Sequence, residues 1–350
     1  MLQSNSQKQG GCWEGGESMK RVNGLFEKLI TFDNLHGAYK KAFKGSPHSL
    51  EAKRFTFFLE GELLKLKEEV VSGRYKTGGF QHYKIFDPKE RLISVAPFRD
   101  RVLHHAVVKI LEPVFEPVFI HDSYATRKGK GTHAAIKRAQ AYLRQSCFYL
   151  KADIKKHFEN MDHDVLLDIV SRKIKDHRLF DLINTIIRGV PWEKGLPIGN
   201  LTSQFFANVY LDRLDHYVKE VLRVKRYVRY MDDMVFLHDD VSFLKDVWHQ
   251  IEDYLKNQLK LELKLGGTYI NKRSNGISFL GARIFPNQLR VKPSSLKRGL
   301  KKFQEQRAEF ESGRLPLANY VSCLTSISGH LDFFNSYRLR CKTGQALNWF

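Results

Sequence analysis

The stretch Arg229-Tyr230-Met231-Asp232-Asp233-Met234-Val235-Phe236-Leu237 limits what this chain can fold into more than any other. Runs 224–230 and 234–237 are dominated by β-branched and aromatic residues. The break between them is short and polar, which predicts two strands joined in a hairpin. Asp232 and Asp233 then share the tip. Two carboxylates side by side against apolar flanks repel each other and lose hydration, so a chain that keeps them implies a cation at that point.

Size and charge narrow the partners. The chain has 350 residues, 42% of them hydrophobic, ample for a packed core. Its 58 Lys and Arg against 38 Asp and Glu give a net charge of +20. That excess implies a polyanionic partner, nucleic acid ahead of an anionic membrane. No apolar run reaches the ~18 residues a membrane span needs, and the N-terminus lacks a signal-peptide core, so no membrane partner is expected. Cys12, Cys147, Cys323 and Cys341 are scattered, which argues against a zinc or disulfide framework and fits a reducing cytoplasm.

Residues 1–19, rich in Gly, Ser and Gln, read as a disordered leader in which Trp13 is a stray aromatic or a docking residue. Apolar residues recur at three and four over 22–71, the spacing of helices. Residues 81–86 and 91–95 read as a hairpin carrying Lys84 and Arg91. A helix follows from Phe98 to about Leu111, ended by the prolines of the doubled Glu-Pro-Val-Phe at 112–119. Residues 72–151 hold 15 Lys and Arg against 6 acids. Within them, Arg127-Lys128-Gly129-Lys130-Gly131-Thr132-His133 joins glycines and cations to a helix start with Thr132 as N-cap. Such a loop suits phosphate, or is a solvated basic loop.

Further on, 148–154 reads as a strand ending in Asp153 and Ile154, and 164–175 as a helix. After the Gly199-Asn200 turn, a helix with a broad apolar stripe runs from Ser203 to Leu222. A helix over 241–259 and strands over 261–263 and 276–285 follow the hairpin. Residues 290–350 read as helices with 11 Lys and Arg against 4 acids, a face able to clasp a duplex backbone or simply a solvated one.

Three acids placed by strands can hold two divalent ions, the arrangement that suits in-line phosphoryl transfer to a 3′-hydroxyl. Asp153, Asp232 and Asp233 are that triad, and their hard oxygens select Mg²⁺. Asp239, Asp240, Asp162 and Asp164 read instead as turn or cap residues. Phe158, five residues past Asp153, suits either a platform under a nucleotide sugar or an ordinary core position.

On these residues the chain resembles a reverse transcriptase over roughly 22–340. Tyr230-Met231-Asp232-Asp233 matches that family's most specific motif. Arg91-Leu92-Ile93-Ser94 with Arg99-Asp100-Arg101, Ser123 to Thr132, Asp153-Ile154 with Phe158, and Phe279-Leu280-Gly281 resemble its other blocks in the same order. The resemblance implies an α+β right-hand polymerase: fingers over 20–150, an antiparallel palm sheet with packed helices over 148–288, and a helical thumb over 289–350. It implies two Mg²⁺, with Mn²⁺ as a substitute, held by Asp153, Asp232, Asp233 and the Ile154 carbonyl. It assigns Lys84 and Arg91 to the triphosphate and Phe158 to the sugar gate. Its partners are template RNA, the RNA/DNA hybrid and dNTPs. The 65 residues after Phe285 leave room for a thumb but not for an added domain of ~100–150 residues.

Two departures from the family pattern matter. Where most members have Gln-Gly-x-x-x-Ser-Pro, this chain has Ile198-Gly199-Asn200-Leu201-Thr202-Ser203-Gln204. That variant, with Gly131-Thr132-His133 and Ser328-Gly329-His330, resembles the reverse transcriptases of diversity-generating retroelements. It implies adenine-error-prone cDNA synthesis and a small accessory helical-bundle oligomer. Ile198, Gly199, Ser203 and Gln204 then shape the template side of the nucleotide site. Gly266-Gly267-Thr268 stands where many relatives have a lysine before the threonine, and Lys264 is the nearest substitute. A reverse transcriptase of an antiphage defence system, another group II intron-like bacterial enzyme, and a catalytically dead RNA-binding scaffold are the rival readings.

Overall fold

The computed structural model describes residues 21–86 and 89–346; the expected leader over 1–19 with Trp13, the turn residues Asp87 and Pro88, and the last four residues lie outside them. The helical spacing over 22–71 becomes α1 (Leu25–Leu29), α2 (Phe32–Lys44), α3 (Leu50–Phe57) and α4 (Leu59–Val71). Thr31 and Ser49 start α2 and α3 by accepting the N–H groups of Asn34 and Ala52. β1 (Gln81–Ile85) and β2 (Arg91–Val95) form the expected antiparallel ribbon, with Tyr83 opposite Ile93.

Next come α5 (Phe98–Phe115), α6 (Thr132–Arg144), β3 (Phe148–Asp153), α7 (His157–Asn160), α8 (His163–Ser171), α9 (His177–Arg188) and α10 (Leu201–His216). A π-helical turn over Tyr217–Val221 leads into the hairpin β4 (Arg226–Tyr230) and β5 (Asp233–His238). After α11 (Val241–Leu259) the chain makes β6 (Tyr269–Lys272), then β7 (Ile277–Phe279), β8 (Ala282–Ile284) and β9 (Leu289–Val291). It ends in α12 (Pro293–Glu311), α13 (Leu317–Asp332) and α14 (Tyr337–Ala346).

The central sheet has the order β4-β5-β3-β6, antiparallel throughout. Strand alternation sends its side chains into two cores. Leu150, Ala152, Tyr227, Met234 and Phe236 join the larger one, with the N-terminal helices, α5 and α8–α11. Tyr149, Val228, Val235 and Leu237 face the smaller one, built with α6, the sheet β7-β8-β9 and the end of α13. Antiparallel sheets with packed helices are the α+β class the sequence predicts.

Several boundaries differ, each for a local reason. α5 runs through Pro113 to Phe115. The proline deletes one N–H near the helix end, while Phe115 is held edge-on against Phe205 at 5.6 Å. Thr132 is not the N-cap of α6. Gly131 takes that place at φ 107°, a backbone glycine tolerates, and Thr132 begins the helix. The helix expected over 164–175 is shorter. Asp162 caps α8 by accepting from Val165 N–H at 3.0 Å, and a second helix, α9, opens on the Asp176 cap. Its signal was present, since Leu179, Leu182, Ile183, Ile186 and Ile187 repeat at three and four. In the segment 261–263 only Leu263 pairs, through one bridge to Ile154, and β6 takes the sheet edge instead. Asp240 caps α11 and Asp239 pairs with Arg226, the turn and cap roles expected of them.

α5 also buries His104, whose Nδ1 has no hydrogen-bond partner. Burial first, then the charges of His105 and Arg101, lower its pKa to about 3. Above pH 6.5 the imidazole is neutral folded or unfolded and costs nothing. Below it the unfolded chain takes a proton that the fold refuses. Stability therefore falls as pH drops, by about 1.4 kcal/mol per unit from this residue. Urea unfolding at pH 5.5 and 7.5 should show a loss that is about 1.4 kcal/mol smaller in His104→Gln.

Candidate active site

The hairpin tip is built from beneath. Tyr230 pairs with Asp233, so Met231 and Asp232 make the turn, with Met231 at φ 52°. A methionine has no intrinsic preference for that left-handed conformation, so the surroundings hold it there. Arg229 supplies the hold. Its guanidinium donates to both Asp215 oxygens at 2.6–2.9 Å, to Asn208 Oδ1 at 3.2 Å and to the Met231 carbonyl at 3.2 Å. Tyr227 O–H donates to the same Asp215 at 2.8 Å. Arg229 and Asp215 are 0% exposed, so α10 carries a charged post under the turn.

The strand register brings the acids together. Asp153 at the end of β3 lies directly opposite Asp233 at the start of β5, one residue from Asp232 in the turn. The Asp233 carboxyl is pushed up to about 7, by burial first and then by the charges of Asp153 and Asp232, with Lys151 opposing. Asp232 is raised too, by burial and then by Asp153. Lys151 Nζ lies 3.3 Å from Asp233 Oδ1, and Lys264 Nζ lies 3.2 Å from Asp153 Oδ2. Lys264 also touches Lys89 of the β1–β2 ribbon, whose ammonium it holds below its usual range.

Ile154 is buried and bridged to Leu263. Phe158 is half-buried at the start of α7, and its carbonyl accepts from Leu196 N–H at 2.7 Å. The backbone of Glu159 lies so close to Gly195 that a Cβ there would sit 2.6 Å from its carbonyl oxygen. Residues 158–161 thus run beside Gly195 and Leu196, two residues before Ile198. Ile198 in turn is tied to the ribbon, its carbonyl accepting from Ser94 N–H at 2.9 Å. Gly199 is needed there: φ is 112° and a Cβ would meet Ile93 Cγ2 at 2.8 Å. Asn200 bonds both Ser94 O and Ala96 N–H. Ser203 is buried and Gln204 half-buried in the first turn of α10.

Lys84 and Arg91 part company. Lys84 makes an exposed ion pair with Glu90 at 3.1 Å and no contact with the acids. The charge of Arg91 reaches Asp232 and lowers its pKa. Sequence reading missed Lys151, Lys89 and the Arg229–Asp215 post. Lys151 had a signal, since it precedes Asp153 by two residues on a strand and so shares its face. The post had none, because a buried arginine looks in sequence like any other basic residue of a basic chain.

Among the described residues no three His, Cys, Asp or Glu side chains converge as a ready-made metal cluster. The donor set nonetheless fits a divalent cation. The three carboxylates are hard-oxygen donors, the charge of Asp153 helps to raise the carboxyls of Asp232 and Asp233, and Asp233 and Asp153 each have a lysine ammonium where a cation would supply charge.

Residues 84–284, more than half of the chain, match the family model described as reverse transcriptase (RNA-dependent DNA polymerase). The chain belongs to the reverse transcriptase family. It is 24% identical over 339 residues to the group II intron-encoded protein LtrA of Lactococcus lactis subsp. cremoris, covering 74% of this chain and 56% of that one. Protein YkfC of Escherichia coli is 24% identical over 278 residues, covering 65% and 72%. The putative COX1/OXI3 intron 2 protein of Saccharomyces cerevisiae is 22% identical over 335 residues, covering 75% and 38%. This reverse transcriptase chain thus spans about half the length of the LtrA protein it matches, or less for the yeast relative. The structure of apo telomerase from Candida tropicalis, truncated from its C-terminal domain, overlays with a TM-score of 0.47 at 12% identity, covering 64% of this chain and 59% of that one. No helix among the described residues is long and apolar enough to cross a membrane.

Proposed function

We propose that the chain is an RNA-directed DNA polymerase of a diversity-generating retroelement, extending a 3′-hydroxyl on template RNA with errors concentrated opposite adenine. The observation that carries the chemistry is the direct cross-strand pairing of Asp153 with Asp233, one residue from Asp232. Asp153, Asp232, Asp233 and the Ile154 carbonyl would hold two Mg²⁺, with Mn²⁺ as a substitute. When bound, such ions activate the attacking hydroxyl and neutralise charge on the phosphate. In this reading 20–150 are fingers, 148–288 palm and 289–350 thumb.

The chain's own residues do the positioning. Lys151 and Lys264 lie against Asp233 and Asp153 and orient those side chains in a partly buried site. Arg91, on the ribbon beside Asp232, suits the triphosphate; Lys84 needs its Glu90 pair broken to join it. Phe158, half-buried in α7 five residues past Asp153, would be the sugar gate. Ile198, bonded to the ribbon at Ser94 and followed by Gly199, would shape the template side together with Ser203 and Gln204.

Ile198 carries the error-prone part of the proposal. A glutamine at this position could hydrogen-bond near the templating base and nucleotide; an isoleucine cannot, so discrimination by polar contacts is lost. Ile198→Gln should lower misincorporation opposite template adenine, scored by sequencing products from purified enzyme, template RNA, primer, Mg²⁺ and dNTPs. An unchanged error spectrum ends that explanation. A small accessory protein oligomer belongs to the same reading.

The intron-encoded relatives favour a second reading, a reverse transcriptase serving a group II intron-like element. Sequencing cDNA from RNA co-purified with the protein separates them. Adenine-substituted copies of one short repeat support the retroelement, and faithful copies of an intron support the second.

A further inference from the structure

Two phrases of the sequence, Gly131-Thr132-His133 and Ser328-Gly329-His330, have no part in the site chemistry above, yet the fold brings them together. His133, in the first turn of α6, stacks on Phe333 just past α13, with ring centroids 3.8 Å apart and planes within 7°. Lys137, one turn on, lies over the same ring at 5.9 Å. His330 packs edge-on against Phe334 at 5.2 Å and lies within electrostatic reach of His133.

The C-terminal helices also meet the smaller core, through buried Leu331 and Phe334 and half-buried Leu296, Ile327 and Leu339. Phe303 of α12 and Leu331 of α13 are the buried residues of those two helices. Asn335 ties the segment to β9, donating its backbone N–H to Leu289 O at 3.0 Å and accepting from Leu289 N–H at 2.7 Å. Beside that tie, the His133–Phe333 stack joins the end of α13 to α6. The residue before His133 reaches the hairpin, since Thr132 Oγ1 donates to Tyr230 O–H at 3.3 Å. One short path thus joins the helices over 293–346 to Tyr230, two residues before Asp232.

We propose that the His133–Phe333 stack is a positioning contact that sets the angle of the C-terminal helices over the candidate active site and so determines how many nucleotides are added per binding event. This rests on the polymerase reading above. His133 touches neither substrate nor acids in that reading; it acts through α13. An aromatic contact favours the arrangement that makes it by roughly threefold to tenfold, so its loss should shorten products by that factor.

His133 is exposed, so its replacement does not threaten the core. The test compares wild type, His133→Ala and His133→Phe. Extension is followed in the presence of a heparin trap, and the first nucleotide addition is timed separately on pre-bound primer–template. His133→Ala should shorten trapped products threefold to tenfold and leave the first-addition rate constant unchanged. His133→Phe, which keeps a ring on the ring, should restore length. Equal product lengths in all three, a first addition slowed as much as length, or no rescue by phenylalanine overturns the proposal. Hydrogen exchange of the Leu317–Asp332 amides is the second readout. It should quicken threefold to tenfold in His133→Ala and not in His133→Phe. If wild type itself extends nothing, the polymerase reading fails, and unchanged exchange shows separately that the stack does not hold α13.

Discussion

Asp232→Asn should abolish primer extension, lowering it on the order of 10³-fold or more, because a charged oxygen ligand at the hairpin tip is replaced by a neutral amide. The fold should not suffer. Asp232 is desolvated, faces the charge of Asp153, and has its carboxyl pushed upward by both. Removing that charge at constant shape relieves repulsion, so the thermal midpoint should be no lower than wild type. Extension with purified protein, template RNA, primer and Mg²⁺, alongside a melting curve, reads both outcomes. Activity within tenfold of wild type would remove Asp232 from the triad. Activity surviving Asp232→Ala together with Asp233→Ala would sink the polymerase reading altogether.

Arg229→Met should cost about 3–5 kcal/mol of stability, the penalty for leaving a buried partner charge uncompensated. Asp215 and Arg229 are both fully buried, and Asp215 would keep only Tyr227 as a hydrogen-bond donor among the contacts described above. The left-handed Met231 would also lose the bond to its carbonyl, so the turn should relax as the fold weakens. The double replacement Arg229→Met with Asp215→Leu should recover much of the stability, since an apolar pair of similar volume removes the stranded charge. It should not recover extension, because Met231 still lacks its anchor. Urea unfolding of the single and double variants, with extension assays on each, separates the two roles. A single variant within 1 kcal/mol of wild type would show that the post is not what supports the turn.

The acids and the lysines beside them form one electrostatic unit. Lys151 reaches Asp233 from the strand that carries Asp153, while Lys264 reaches Asp153 from the segment after α11. Lys264 thereby occupies ground near the acid where the sequence lacked the lysine expected just before Thr268. Lys89 places the ribbon against the same spot. The ribbon is tied at its base, Ser94 N–H donating to the Ile198 carbonyl, while the ammonium of Lys89 near its turn feels the charge of Lys264.

Much of this protein was legible in its residues. Local chemistry is written locally. Runs rich in β-branched and aromatic residues around a short polar break determined the β4–β5 hairpin, and apolar spacing at three and four determined the N-terminal helices. Asp153, Asp232 and Asp233 could be paired because strands with known periodicity place residues at predictable positions. Excess positive charge pointed to nucleic acid for the same reason, since composition survives any fold.

Tertiary structure decided what depends on who meets whom. The Arg229–Asp215 post joins residues 14 positions apart on different elements, and only burial of both makes it consequential. Lys84 carried the same sequence promise as Arg91, and in the folded chain it makes an exposed ion pair with Glu90. Thr132 had the chemistry of a cap and was drawn instead to Tyr230, 98 residues away. His133 and Phe333, 200 residues apart in the chain, share one stack. Each outcome is a competition among partners at short range, and the winner depends on distances that only the folded chain sets.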